Sequence, residues 1–219
     1  MKFVKKIFCA LCVLVMLMTV AGCSVNPAEK PNGTDSENST NANNNNLKEN
    51  VSTELGGNVL VAYFSCTNTT EGIAEIIADE TSGTLYEIVA ADPYTEDDLK
   101  YYTNGRADKE QADPSCRPAI SGSVSDMSAY DTVFIGYPIW HGQAPRIIST
   151  FLESNDFSGK TIVPFCTSHS SGIGSSDSDL HSLTSDSAVW MNGKRFSSSS
   201  DRSEITEWVK MLNLNIQLP

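Results

Sequence analysis

Ser65, Thr67, Thr69 and Thr70 put four hydroxyls into six residues, with Cys66 and Asn68 between them. The apolar run Val59-Leu60-Val61-Ala62-Tyr63-Phe64 comes before them. After them comes Glu71-Gly72-Ile73-Ala74-Glu75-Ile76-Ile77-Ala78, in which Ile73, Ile76 and Ile77 fall at helical spacing. The stretch therefore reads as strand, hydroxyl-rich turn, helix. The first N–H groups of a helix have no internal partner and carry the positive end of its dipole. Such a turn can take a phosphate, with the hydroxyls as extra donors. Helix capping by Thr69 or Thr70 is the plainer use of the same residues. No Lys or Arg lies in the turn, so hydrogen bonds rather than charge would hold the anion. The turn is neither a Walker loop nor a G-x-G-x-x-G dinucleotide turn.

Two later stretches have the residue types to complete a site. Tyr137-Pro138-Ile139-Trp140-His141-Gly142-Gln143-Ala144-Pro145 offers a large aromatic face. Thr167-Ser168-His169-Ser170-Ser171-Gly172-Ile173-Gly174 is small and polar. Together with the hydroxyl turn they suit a flat, phosphorylated heteroaromatic ligand, with Trp140 stacked on its ring and the third loop along its polar edge. Trp140 can also be read as a core residue beneath its loop. Trp190 and Trp208 are read as core.

These loops need elements to position them. A continuous apolar run bounded by turn residues suits a strand buried on both faces. Val59 to Phe64 is the first such strand, and residues 84–89, 132–137, 161–166 and 188–191 supply four more. Pro164 is awkward inside its strand because it removes a ladder donor, and a bulge would accommodate it. Helices are expected after the hydroxyl turn, from Pro145 with its stripe Ile147, Ile148, Phe151 and Leu152, weakly over 175–185, and at Ile205, Trp208, Val209 and Leu212. Residues 91–120 are more polar, with a helix start at Thr95-Glu96-Asp97-Asp98. They read as a surface helix and loop, or as a lid formed by Tyr101, Tyr102, Arg106 and Arg117. Alternating strands and helices imply an α/β fold with a parallel sheet between two helical layers. Right-handed crossovers then bring the strand-to-helix loops to one edge.

Three motifs, Tyr63-Phe64-Ser65-x-Thr67-x-x-Thr70, Ile135-Gly136-Tyr137-Pro138-Ile139-Trp140-x-Gly142-x-Ala144-Pro145 and Phe165-x-Thr167-Ser168-x-x-Ser171-Gly172, resemble the three flavin-binding loops of the flavodoxin family. The resemblance spans residues 58 to about 215, and the middle motif is its most specific part. It implies a flavodoxin-like three-layer fold with a five-stranded parallel sheet in the order 2-1-3-4-5. It also implies noncovalent FMN. Ser65, Thr67, Asn68, Thr69 and Thr70 would hold the phosphate, with Cys66 in the same turn. Pro138, Ile139, Trp140, His141 and Gly142 would flank one side of the ring, and Thr167, Ser168, His169, Ser170, Ser171 and Gly172 the other. There are three departures from the pattern. Asn68 stands where the family usually has Gly, which calls for a left-handed Asn. His141 replaces a second aromatic residue, commonly Trp, and His169 a frequent Gly.

Residues 1–22 read as a lipoprotein signal peptide, with Lys2, Lys5 and Lys6 ahead of an apolar stretch too short to span a bilayer comfortably. Val20-Ala21-Gly22-Cys23 resembles a bacterial lipobox, which implies a lipidated Cys23 and an extracytoplasmic, membrane-anchored protein. Stable anchoring takes more than one acyl chain. Residues 23–57, rich in Asn, Ser, Thr and Glu, bury too little to fold and form a tether with a reach on the order of 30 Å. Residues 58–219 form one domain with 10 Lys and Arg against 22 Asp and Glu, which accounts for the whole net charge of −12. That balance disfavours nucleic acid and anionic membrane surfaces, and favours either a basic redox partner or solubility alone. Three of the six cysteines, Cys66, Cys116 and Cys166, lie in this domain without a C-x-x-C. No metal site is expected, and a Cys66–Cys116 or Cys66–Cys166 disulfide stays open.

Three functions are compatible with these features. The first is a membrane-tethered flavodoxin that transfers electrons outside the cytoplasm. The second is an FMN-dependent NAD(P)H or quinone oxidoreductase. The third is a flavin-free binding module.

Overall fold

Val59–Tyr63 forms strand β1, and each of its residues is buried. Its pleat divides it between two cores: Val59, Val61 and Tyr63 join one, Leu60 and Ala62 the other. Burial on both faces requires a layer of helix on each. The computed structural model describes residues 58–214 and supplies both layers. The expected signal segment, the expected lipidation site Cys23 and the expected tether lie outside the described residues.

In chain order the elements are β1, α1 (Thr69–Thr81), β2 (Thr84–Glu87), β3 (Val89–Ala90), α2 (Arg106–Ala112), β4 (Ile120–Ser121), β5 (Thr132–Pro138), α3 (Arg146–Glu153), β6 (Thr161–Thr167), β7 (Val189–Trp190), β8 (Lys194–Phe196) and α4 (Arg202–Met211). The main sheet runs β2-β1-β5-β6, with β7 and β8 both on the outer side of β6 and every pair parallel. Counting β7 and β8 as one interrupted strand, this is the expected order 2-1-3-4-5. Ile73 and Ile77 of α1 pack with Ile205 and Trp208 of α4 on one face. Ile147, Ile148, Phe151 and Leu152 of α3 and Ala107 of α2 pack on the other.

The structure corrects several boundaries. The second strand ends at Glu87, and Val89 instead pairs antiparallel with Ser121 in a small ribbon. No helix starts at Thr95. The Asp98 carboxylate accepts from the Thr95 N–H (2.8 Å) and hydroxyl (2.7 Å), which closes a turn. Left-handed φ values at Tyr102 (59°) and Asn104 (58°) bar a continuous helix, so α2 waits until Arg106. The weak helix over 175–185 is a 3₁₀ turn, Ser178–Leu183, begun by Asp177. Trp208 is core, whereas Trp190 is half-buried and donates its indole N–H to the Thr184 hydroxyl (3.0 Å).

Pro164 sits in a regular β6, and the irregularity falls on its neighbour. The Lys160 and Ile162 carbonyls accept from the Val189 and Met191 N–H groups, both at 2.9 Å. Strand alternation turns the Pro164 nitrogen to this same side. There it has no proton to give, and there the outer strand breaks between Trp190 and Lys194. Gly193 fills the gap; a Cβ on it would lie 3.0 Å from the Pro164 carbonyl oxygen.

Candidate functional site

Three loops meet beyond the carboxyl ends of β1, β5 and β6, around the point where the winding of the sheet reverses. The first joins β1 to α1. Asn68 starts the helix with a left-handed φ of 63°, and its side chain caps nothing. The first helical bond runs from the Gly72 N–H to the Asn68 carbonyl (3.1 Å). The N–H groups of Thr69, Thr70 and Glu71 therefore have no partner within the helix. The Glu71 carboxylate is engaged elsewhere, accepting from the Tyr63 hydroxyl (3.3 Å). Burial, assisted by Glu71, raises the Tyr63 pKa.

Ser65, Cys66, Thr67, Thr69 and Thr70 form one wall of a cavity of about 340 Å³. No Lys, Arg, Asp or Glu lines it. Hydroxyls and unpaired N–H groups without a fixed carboxylate fit a phosphate held by hydrogen bonds. Burial pushes the Cys66 thiol up to about 11 against the opposing pull of Arg106, so it stays protonated at neutral pH. Thr70 is 1% exposed, and its hydroxyl bonds that of Thr167 at 2.7 Å, tying the first loop to the third.

The second loop follows β5. Trp140 and Gln143 exchange two backbone hydrogen bonds of 2.9 Å across His141 (φ 49°) and Gly142 (φ 79°). Two consecutive left-handed residues make this a type I′ turn. Pro138, Ile139 and Trp140 line the cavity, whereas His141 and Gly142 line an adjoining recess. Trp140 is only 7% exposed, because the rings of Phe64 (5.6 Å) and Tyr94 (5.2 Å) pack edge-on against it. It is core and wall at once rather than an open stacking face. Gln111 of α2, itself buried, fixes both ends of the loop. Its amide donates to the Trp140 (3.2 Å) and Ala144 (3.1 Å) carbonyls and accepts from the Arg146 N–H (3.1 Å). His141 Nε2 lies 2.8 Å from the Asp108 carboxylate, which also accepts from the Thr103 and Asn104 N–H groups at 2.9 Å. Burial would raise the Asp108 pKa, but these hydrogen bonds outweigh it and hold the carboxyl below its ordinary value.

A family model described as flavodoxin matches residues 58–212. The chain belongs to the flavodoxin family. A Bacteroides eggerthii DSM 20697 protein of known crystal structure, assigned as a flavoprotein, is 41% identical; the match covers 73% of this chain and 99% of that one, with a TM-score of 0.68. A second such protein, from Bacteroides uniformis ATCC 8492, is also 41% identical over 71% of this chain and 99% of that one, with a TM-score of 0.67. No curated protein matches the chain.

In this member of the family the third loop follows β6. Thr167, Ser168 and His169 line the cavity and Ser171 lines the recess, while Ser170 and Gly172 line neither. Arg195 of β8 holds the loop. Its guanidinium donates to the Ser168 and His169 carbonyls, both at 2.7 Å, and to the Ser168 hydroxyl at 3.1 Å. The Ser168 hydroxyl in turn donates to the Ser171 carbonyl. Sequence reasoning missed Arg195 because it did not foresee β8. It also missed Leu99 and Ser198, both of which line the cavity. A run of four serines, 197–200, is the one signal that pointed to Ser198.

Of the four candidate lid residues, Tyr101 alone lines the cavity. Its hydroxyl donates to the Ile139 carbonyl (3.2 Å). Tyr102 lines only the recess. Arg106 lies 4.1 Å from the centre of the Tyr94 ring and pairs with Glu110 and Asp92. Arg117 pairs with Glu153. Cys66, Cys116 and Cys166 are all free thiols.

Proposed function

We propose that this chain is an FMN-binding flavodoxin that carries electrons outside the cytoplasm, tethered to the cell membrane through lipidated Cys23. The first loop carries the reading: the first N–H groups of α1 have neither helical partners nor a cap from the Asn68 side chain, and they lie beside a hydroxyl-lined cavity that has no fixed carboxylate. FMN, when bound, supplies the redox chemistry, and the protein supplies binding and orientation. The hydroxyls of Ser65, Thr67 and Thr69 and the free N–H groups would hold the phosphate. The loops at Pro138 to Gly142 and Thr167 to Gly172 would flank the ring, the former braced by Gln111 and the latter by Arg195. The 41% identity to proteins assigned as flavoproteins supports a flavin at this site. Leu99 and Tyr101 at the cavity wall favour, as a second reading, an FMN-dependent NAD(P)H or quinone oxidoreductase.

The test is to mix the full-length chain with FMN, remove the excess and record the absorption spectrum. The parent should keep the flavin band. Thr67→Val/Thr69→Val should weaken FMN about tenfold or more and spare riboflavin, since a hydrogen bond to a charged group contributes about 1.5–3 kcal/mol. A folded chain that retains no FMN would overturn the reading and leave the flavin-free binding module. Steady turnover with NADPH would favour the oxidoreductase. Lipid labelling tests the tether: the parent should take up labelled fatty acid and Cys23→Ser should not, and a parent that takes up no label would exclude the lipid anchor.

A further inference from the structure

Beside the cavity lies a second recess of about 420 Å³, lined by Tyr101, Tyr102, Ile139, His141, Gly142 and Ser171. It shares Tyr101 and Ile139 with the cavity. Three features suggest that it is built for a ligand. First, Tyr102 is 90% exposed, an unusual place for a large aromatic side chain, and its ring stands perpendicular to that of His141 at 5.5 Å. Second, Tyr102, Asn104 and His141 all hold left-handed φ values of 59°, 58° and 49°. Backbone strain of this kind in residues other than glycine gathers at functional sites. Third, a single carboxylate supports the arrangement: Asp108 accepts from the Thr103 and Asn104 N–H groups on one turn and binds His141 on the other.

The chemistry of the recess narrows the ligand. Two tyrosine rings and an imidazole favour a flat ring. The Ser171 hydroxyl and the Gly142 N–H have no hydrogen-bond partner among the described residues, so the recess offers donors to an acceptor-bearing ring edge. No Lys or Arg lines it, and the domain carries a net charge of −12, which together disfavour a polyanionic dinucleotide.

We propose that this recess binds an uncharged, planar, carbonyl-bearing ring of the quinone class, stacked on Tyr102 with the perpendicular His141 ring at its edge. Its position beside a flavin rests on the function proposed above; the binding itself does not. The experiment is equilibrium dialysis of duroquinone against the full-length chain carrying Cys23→Ser, with FMN retention measured separately. Duroquinone is fully substituted and cannot alkylate the free thiols. The expected result is saturable binding that Tyr102→Ala weakens about tenfold and Tyr102→Phe largely keeps, as loss of a stacked aromatic face requires. Tyr102 does not line the cavity, so FMN retention should be the same in all three proteins. Absence of saturable binding, or Tyr102→Ala binding as tightly as its parent, would overturn the proposal. NADPH binding with the same dependence on Tyr102 would overturn it in favour of a dinucleotide. Loss of FMN retention with duroquinone binding intact would sink the flavodoxin function and leave this site standing.

Discussion

Gln111 does for the second loop what Arg195 does for the third. Each is a polar side chain whose donors hold two carbonyls of its loop in place. Gln111→Ala strips partners from the Ala144 carbonyl and the Arg146 N–H, while the Trp140 carbonyl keeps the Gln143 N–H. An unsatisfied buried group costs about 1–3 kcal/mol, so urea unfolding should show a loss of roughly 2–4 kcal/mol, with weaker FMN binding alongside. A variant as stable as the parent would show that water replaces the side chain. The hydroxyl turn could be read from sequence because its groups are local, six residues from strand to helix. Gln111 and Arg195 could not, because their partners lie 33 and 27 residues away in the chain. A glutamine in a short polar helix and an arginine in an unforeseen strand carry no local mark of such a role.

Among the elements, β5 and β6 make the tightest fit. A Cβ on Gly136 of β5 would lie 2.2 Å from the Phe165 ring of β6, and that ring is fully buried. Gly136→Ala should therefore destabilise by about 1–3 kcal/mol, the usual cost of overpacking, read as a lowered urea midpoint. Stability equal to the parent would mean that Phe165 can swing aside. The long apolar strands β1, β5 and β6 were legible because burial on both faces leaves a continuous hydrophobic run. Strand β8 was hidden because two of its three residues are Lys194 and Arg195, whose charges mask a strand with one buried side chain, Phe196. In residues 91–120 the helix-start signal at Thr95 was real chemistry, but it closes an isolated turn rather than a helix. The three loop motifs survived these errors because each follows one of the legible strands.

At the scale of the whole molecule, acid should unfold it. Hydrogen bonds hold the carboxyls of Asp98, Asp113, Asp126, Asp156 and Asp201 below their ordinary values, and Asp108 joins them despite its burial. A carboxyl depressed in the fold contributes stability that is complete above its unfolded pKa, about 4 for Asp. That contribution is lost as pH falls through the lower folded value. Urea midpoints should thus decline progressively below about pH 4, and a flat profile there would contradict these hydrogen bonds. The interruption between β7 and β8 also governs how the molecule meets its own copies. An exposed strand edge is a template on which another chain can add a strand and begin to aggregate. Here that edge offers two residues, a gap at Met191-Asn192-Gly193, and then three more, two of them cationic. A proline one strand inward has thereby made this rim of the sheet a poor template, and copies that meet at it find no long edge on which to zip together.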